Sequence, residues 1–376
     1  MMILTDDQRM LQDVAKPFMA EEGGIKGQLR HWRDSGCKDG FGHGLWKQLA
    51  ELGLTGVLVP EASGGAGLGQ VEANLVLEEI GRNLTPSPFL TTSVAAVRAL
   101  EGSAQAERWF PGIIAGETVA ALAIDEGKSH NPAATALEAK RQGNGFLLNG
   151  HKQFVVHGAS ADLLLVAART AGAMGETKGV TLFAVPRDTI GVEVENVALA
   201  DSSMAARLTL ANVAVDADAV IGEVDEGWAP LSRALGAGRA GAASELVGIA
   251  AGASEMTFDY LKQRKQFGRL IGEFQALQHR AAHLYGEIEI ARAAGMKAAQ
   301  SIDAADPRAD LFTAVAKAKA GKVARLSVQE GVQMHGGIGM TDEHDIGLYM
   351  KRHAVLDELF GGPRFHAGEV ARLSGY

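Results

Sequence analysis

At 376 residues, 47% hydrophobic and 22% charged, the chain is long enough for two or three packed layers or domains, and its composition is that of a well-buried globular protein. A net charge of −9 excludes nucleic-acid binding through a general basic footprint, which needs a basic surface to displace counterions from phosphates, so any anionic ligand must be met locally. The single cysteine, Cys37, has no companion for a disulfide, a metal or a redox motif and reads as a spare thiol. The opening Met1-Met-Ile-Leu-Thr-Asp-Asp-Gln-Arg has neither the basic start nor the apolar run of a signal peptide, and no later stretch reaches about eighteen uncharged apolar residues. These features set the expectation of a cytoplasmic protein without a membrane span.

To about residue 118 the chain reads as helices. Thr5-Asp-Asp-Gln is an N-cap followed by a first turn whose acidic residues suit the positive helix end, and apolar residues recur at helical spacing in Leu11, Val14, Ala15 and Phe18. Leu45-Trp-Lys-Gln-Leu-Ala-Glu-Leu predicts a second helix stopped by Gly53, and Val71 to Ile80 a third stopped by Gly81. Between them, Val57-Leu-Val-Pro-Glu-Ala-Ser-Gly-Gly-Ala-Gly is held out of any helix by proline and glycine. From about 119 the texture changes to short β-like runs at 119–124, 145–150, 153–156, 162–168, 180–185, 192–194, 206–210 and 213–215, separated by Gly, Asn, Pro and Asp as in an antiparallel sandwich or barrel. After Gly222-Glu-Val-Asp-Glu-Gly227 come long alanine-rich helical segments at roughly 228–264, 272–302 and 308–335, and a last helix after Pro363. The expected class is α+β: an N-terminal helical domain (1–118), a middle antiparallel β domain (119–225) and a C-terminal four-helix-bundle-like domain (226–376).

Four motifs stand in one order along this frame. They are Phe146-Leu-Leu-Asn-Gly-His-Lys-Gln-Phe-Val-Val-His-Gly; Ala161-Asp-Leu-Leu-Leu-Val-Ala-Ala-Arg-Thr170; Arg264-Lys-Gln-Phe-Gly268; and Gln333-Met-His-Gly-Gly-Ile-Gly-Met-Thr341, leading into Leu359-Phe-Gly-Gly-Pro363. Each alone is weak; a basic pair before a Phe-Gly turn is by itself a solvated helix end. Together, in this order and at these separations, they resemble the acyl-CoA dehydrogenase family over essentially the whole chain. The finer resemblance is to bacterial small subunits of the pimeloyl-CoA dehydrogenase type and to the non-glutamate partners of heteromeric enzymes of steroid breakdown.

The resemblance implies the family's fold, with FAD in a groove between the β domain and the C-terminal helices, and no metal. Arg264 matches an arginine that reaches the FAD pyrophosphate across a subunit boundary, a role suited to the fixed donors of a guanidinium. Phe267 and Gln275 match residues near the adenosine end. Gln333, Gly336 and Gly337 match a loop whose backbone approaches the second subunit's FAD, a closeness glycine permits. Phe154, Val155 and Val156 match the hairpin behind the isoalloxazine ring, with Phe154 and Val156 replacing the family's tryptophan and threonine and so removing one hydroxyl hydrogen bond; core packing is the competing reading for Val155. Leu122-Ala-Ile-Asp-Glu-Gly127 departs from the family's flavin loop after Glu126, leaving backbone groups of Ala123 to Asp125 to contact the flavin pyrimidine. Arg239 matches an arginine at the CoA entrance, with surface charge as the alternative.

The implied reaction removes the α proton of an acyl-CoA while the β hydrogen leaves as hydride, and so demands a carboxylate near the α carbon. At the family's usual position stands Gly361, and the alternative position near Gly238-Arg239 also lacks a carboxylate. Glu245, seven residues beyond Gly238 and on nearly the same helix face, is the substitute base; its competing role is a structural carboxylate paired with an arginine on a neighbouring helix. Asp357 and Glu358 are next. Two functions follow from the resemblance: a FAD-dependent acyl-CoA dehydrogenase acting on a bulky, cyclic or dicarboxylic acyl chain with electron-transfer flavoprotein as acceptor, or a non-catalytic subunit completing the FAD sites of a glutamate-bearing homologue. The assembly expected is a homotetramer or a heterotetramer.

Overall fold

The computed structural model describes residues 4–376; Met1, Met2 and Ile3, which open the stretch read above for a signal peptide, lie outside the described residues. In chain order the helices are α1 Asp6–Glu21, the single-turn α2 His31–Asp34, α3 His43–Glu51, α4 Gln70–Asn83, the short α5 Val97–Leu100 and α6 Ala104–Ile114. Strands β1 Ala120–Ala123, β2 Glu138–Gln142, β3 Gly145–Val156, β4 Leu163–Arg169, β5 Val180–Pro186, β6 Val192–Ala198, β7 Met204–Val215 and β8 Val220–Ile221 follow. Then come α7 Trp228–Gln263, a small hairpin of β9 Lys265–Gln266 and β10 Arg269–Leu270, α8 Gln275–Asp303, α9 Ala309–His335, α10 Ile346–Glu358 and α11 Pro363–Leu373. The succession is N-terminal helices, a middle sheet and C-terminal helices. No helix among the described residues is long and apolar enough to cross a membrane.

The contacts gather the chain into two compact units. One comprises Trp32–Gly69 and Pro86–Gly238 and contains the eight-stranded sheet, ordered β6-β7-β3-β2-β4-β5-β8. The sheet is largely antiparallel, but β1 runs parallel beside β4 in the register Ala120↔Leu163 to Ala123↔Val166, which the antiparallel expectation does not include. The runs 145–150 and 153–156, expected as separate strands, are one strand, β3, and 206–210 with 213–215 likewise form β7. Glycine reads locally as a terminator; Gly150, at φ 146°, instead sits at a register irregularity inside a continuing strand. Strand β2, a polar run with mostly exposed side chains, carries no apolar alternation that would announce it.

The other unit joins the residues up to His31, Gln70–Thr85 and Arg239–Tyr376. Its α1 is capped as expected: Thr5 Oγ1 accepts from Gln8 N at 3.2 Å while Gln8 Oε1 accepts from Thr5 N at 3.0 Å. The expected stop at Gly81 is overturned, since α4 continues to Asn83. Gly81 is there for closeness rather than termination: a Cβ on it would lie 2.0 Å from the Glu245 carbonyl oxygen of α7, and one on Gly248 of α7 would lie 2.0 Å from the Glu78 carbonyl of α4. Two reciprocal glycines thus let the α4 and α7 backbones touch, and Asn74 Nδ2 donates to the Ala240 carbonyl at 3.2 Å across the same crossing. This contact binds a helix from the first quarter of the chain to the C-terminal bundle.

Candidate active site

In the sheet-bearing unit, β1 is buried along its length and feeds the loop that departs from the family pattern. The loop is tied down by its own carboxylates. Lys152, fully buried on β3, donates from Nζ to the Ile124 carbonyl at 2.8 Å and to Glu126 Oε1 at 2.7 Å. Burial pushes its pKa down, and the Glu126 charge opposes that shift. Glu126 also accepts the backbone N–H of Leu137 at 2.9 Å, Asp125 accepts from Asn131 N at 3.0 Å and pairs with His130 Nδ1 at 2.8 Å, and Gln153 N donates to the Asp125 carbonyl at 2.7 Å. The structure therefore places Ala123 fully buried and engages both the side chain and the carbonyl of Asp125 within the loop.

The hairpin residues occupy a bulge. Lys152 pairs with Leu208 and Val155 with Ala206, so Gln153 and Phe154 together oppose the single residue Arg207. Phe154 takes φ 53°, a left-handed conformation costly for a residue with a Cβ, while Val155 is completely buried and Val156 nearly so. The burial of Val155 is what core packing requires, and Phe154, at the bulge, is half-buried.

In the helical unit, the cluster of Leu261, Leu284 and Met334, with Phe258, Ile271 and Leu277 around it, joins the end of α7, the start of α8 and the end of α9. Arg264, Phe267, Gln275, Gln333, Gly336 and Gly337 are thereby gathered at one end of the bundle, and all are exposed. Phe267 tips the β9–β10 hairpin at φ 55° and is 89% exposed. Gly336 ends α9 at φ 64°, and nothing lies within 4 Å of where a Cβ would stand on it or on Gly337. An exposed guanidinium and two glycines with open space over them, at the same end of the bundle, fit the pyrophosphate of a dinucleotide, which needs fixed donors and close backbone approach.

At Gly361, where the resemblance puts the family's base, α10 ends in a turn in which Phe360 has φ 60° and Gly361 φ 107°, and Gly361 N donates to the Glu358 carbonyl at 3.1 Å. Gly362 and Pro363 then start α11, proline at the first helical position where its missing N–H costs nothing. Arg239 is joined to this turn: its Nε donates to the Phe360 carbonyl at 3.2 Å and its guanidinium lies 5.0 Å from the Phe365 ring centre. Glu245, further along α7, is already paired. Only 2% exposed, it accepts on Oε1 from Arg352 Nη2 at 2.5 Å and Nε at 3.0 Å, the pairing with a neighbouring helix weighed above as its alternative role. Asp357 is buried and Glu358 exposed at the end of α10.

Lys317 escapes the sequence reading. On α9, 1% exposed, its Nζ donates to the carbonyls of Asp357 at 2.8 Å and Leu356 at 3.2 Å beneath the turn. A signal for it exists: Lys317 and Lys319 lie two apart in an alanine run, and residues two apart on a helix point to different faces, so one of them has to face inward.

Family models for the acyl-CoA dehydrogenase N-terminal, middle and C-terminal domains match residues 5–117, 122–213 and 225–372. The chain belongs to the acyl-CoA dehydrogenase family. Members of this family are FAD-dependent flavoproteins acting on acyl-CoA thioesters. The cyclohex-1-ene-1-carbonyl-CoA dehydrogenase of Syntrophus aciditrophicus is 30% identical over 96% of this acyl-CoA dehydrogenase homologue and 87% of its own length. Among solved structures, a variant of the Tcur3481-Tcur3483 steroid ACAD is 31% identical with a TM-score of 0.88, covering 98% of each chain. Butyryl-CoA dehydrogenase from Megasphaera elsdenii is 25% identical with a TM-score of 0.91, covering 100% of this chain and 99% of that one.

Proposed function

We propose that this chain is a subunit of a FAD-dependent acyl-CoA dehydrogenase that supplies flavin-binding and substrate-facing surfaces and takes its α-proton base from a homologous, glutamate-bearing partner. The observation that carries this is the fate of Gly361 and of the leading substitute base, Glu245. Gly361 offers no side chain, and Glu245 spends its Oε1 on two donors of Arg352 in a nearly solvent-free site. A general base must turn a lone pair to the substrate carbon, and a carboxylate held in this way is positioned for its arginine instead.

FAD, when bound, accepts the β hydrogen as hydride. Toward it this chain contributes the Arg264 guanidinium, the side chains of Phe267, Gln275 and Gln333, and the open backbone of Gly336 and Gly337. In the sheet-bearing unit, we assign the loop at Ala123 to Asp125 and the bulge at Phe154 to the flavin ring, with the buried Ala123, Val155 and Val156 packing behind them. Arg239, anchored to the Phe360 carbonyl, holds the turn on which the acyl-CoA rests. We read the acyl group as cyclic, supported by the names of the cyclohexene-carbonyl and steroid relatives, the oxidant as electron-transfer flavoprotein, and the assembly as a heterotetramer.

Purification of the chain alone and together with a glutamate-bearing homologue, followed by anaerobic addition of cyclic acyl-CoAs, tests the proposal. Bleaching of the visible flavin absorbance is expected only in the complex. Replacing the partner's glutamate by glutamine should slow that bleaching by about 10²-fold or more, whereas Glu245→Gln in this chain should leave it within about twofold. Normal bleaching of the isolated chain, abolished by Glu245→Gln, would instead establish Glu245 as the base.

A further inference from the structure

The resemblance puts Gly361 at the place of the family's carboxylate and this chain presents main chain there, so the placement of the 356–362 backbone becomes the functional variable at that spot. Three carbonyls of this segment converge on one buried ammonium. Lys317 Nζ lies 2.8 Å from the Asp357 carbonyl oxygen, 3.2 Å from that of Leu356 and 3.5 Å from that of Gly361, with Asp357 Oδ1 at 3.9 Å. Asp357 is itself seated against α9, where a Cβ on Gly321 would fall 2.0 Å from Asp357 Oδ1, and beside His353 of its own helix α10, whose Nε2 stands 3.6 Å from Oδ2.

An exposed helix C-terminus can leave its last carbonyls to water, and filler for the space under the turn could have been apolar. Burying an ammonium there is costly unless its donors are used, and here they are used on the main chain that leads into and forms the turn. We propose that Lys317 is the positioning residue of the Gly361 turn, its ammonium fixing the backbone surface that the acyl-CoA meets. The inference rests on the reading above that this turn faces the substrate.

Proton loss weakens the hold. The ammonium has three N–H donors and the neutral amine two, so the longest contact, to Gly361, is the one released. Burial lowers the Lys317 pKa to about 8, opposed first by Asp357 and then by Glu358 of α10; Arg239 of α7 lowers it further and Glu245 of α7 raises it. His353, next to Asp357, is pushed down by its own burial, and α11, also packed on α9, carries the buried His366.

The test uses the flavin-loaded protein in the assembly it needs, as wild type, Lys317→Met and Lys317→Arg, with cyclohex-1-ene-1-carbonyl-CoA as probe and the flavin spectral shift as readout. In the wild type the probe's Kd should rise about tenfold between pH 7 and about 9.5, with its midpoint near the Lys317 pKa. Lys317→Met should bind at the weak limit at every pH, and Lys317→Arg should be tight and flat, with FAD content equal in all three. A flat wild-type profile, or wild-type affinity in Lys317→Met, overturns the proposal; the wild-type profile decides alone if the Met variant does not fold. Hydrogen exchange at the Gly361 amide, faster in Lys317→Met with the core amides of α9 unchanged, reports on the turn without flavin or probe, and unchanged exchange there overturns the proposal. An undisturbed turn assignment with no spectral response in any protein would fault the substrate reading instead.

Discussion

Gly361 does more than leave the turn without a side chain. At φ 107°, following Phe360 at 60°, its backbone lies where a residue with a Cβ is strained, at roughly 1 to 3 kcal/mol for each such position. Restoring the carboxylate in Gly361→Glu should therefore leave the isolated chain unable to bleach its flavin with acyl-CoA; vigorous bleaching by that variant would show that the turn adapts. Lys317 yields a prediction of opposite sign for stability. Its pKa falls from the ordinary lysine value to about 8 on folding, so between about pH 8 and 10.4 the unfolded chain binds more protons than the folded one, and stability rises with pH in that window. Denaturant midpoints of the wild type relative to Lys317→Met should thus climb from pH 8 toward 10, by up to about 2 to 3 kcal/mol. At this scale the sequence shows the glycine at 361 and a carboxylate, Glu245, set in an apolar helix run. It does not disclose that Arg352, over a hundred residues away, meets that carboxylate, because an ion pair between helices depends on their crossing and not on local spacing.

Among the elements, the glycines of the α4–α7 crossing give the sharpest test. Alanine is the better helix former by about 1 kcal/mol, so propensity alone would make Gly81→Ala and Gly248→Ala stabilising. A methyl at either site would meet a rigid backbone carbonyl at 2.0 Å, and overpacking of that kind costs about 1 to 3 kcal/mol or more. Steric conflict should win, lowering the thermal midpoint of each variant in a melting experiment. The long helices are legible because alanine-rich periodic runs extend over dozens of residues, and the expected 228–264 is Trp228–Gln263 in the fold. The strands are legible as runs but not in their continuity, since the bulge at Gln153–Phe154 and the irregularity at Gly150 resemble terminators when viewed locally. Gly81 misleads for the same reason: glycine as a stop and glycine as a close contact are the same letter.

For the molecule as a whole, the exposed end carrying Arg264, Phe267 and Gln333 is an unusual surface for a chain with so few aromatics. An almost fully exposed phenylalanine at a hairpin tip fits burial by a second chain. Phe267→Asp is expected to shift the sedimentation of the assembled protein toward smaller species and to lower its FAD content; sedimentation identical to wild type would remove Phe267 from the interface. The folding class and the family are legible from motif order, because four weak matches constrain one another along the chain. The interleaving of the helical unit is not, since nothing in α4 announces a partner 166 residues downstream.

That interleaving has a consequence for synthesis. Between its emergence and the arrival of residue 240 and beyond, α4, which carries Val71, Leu75, Val76, Leu77 and Ile80 buried in the finished fold, has α1 to pack on but not yet α7. Packing on α1, which is already made, leaves the α7 side of this surface uncovered, so closure of a loop of 166 residues must follow. On a ribosome this helix must wait, and a chain truncated before α7 should be a client of chaperones rather than an independently folded domain.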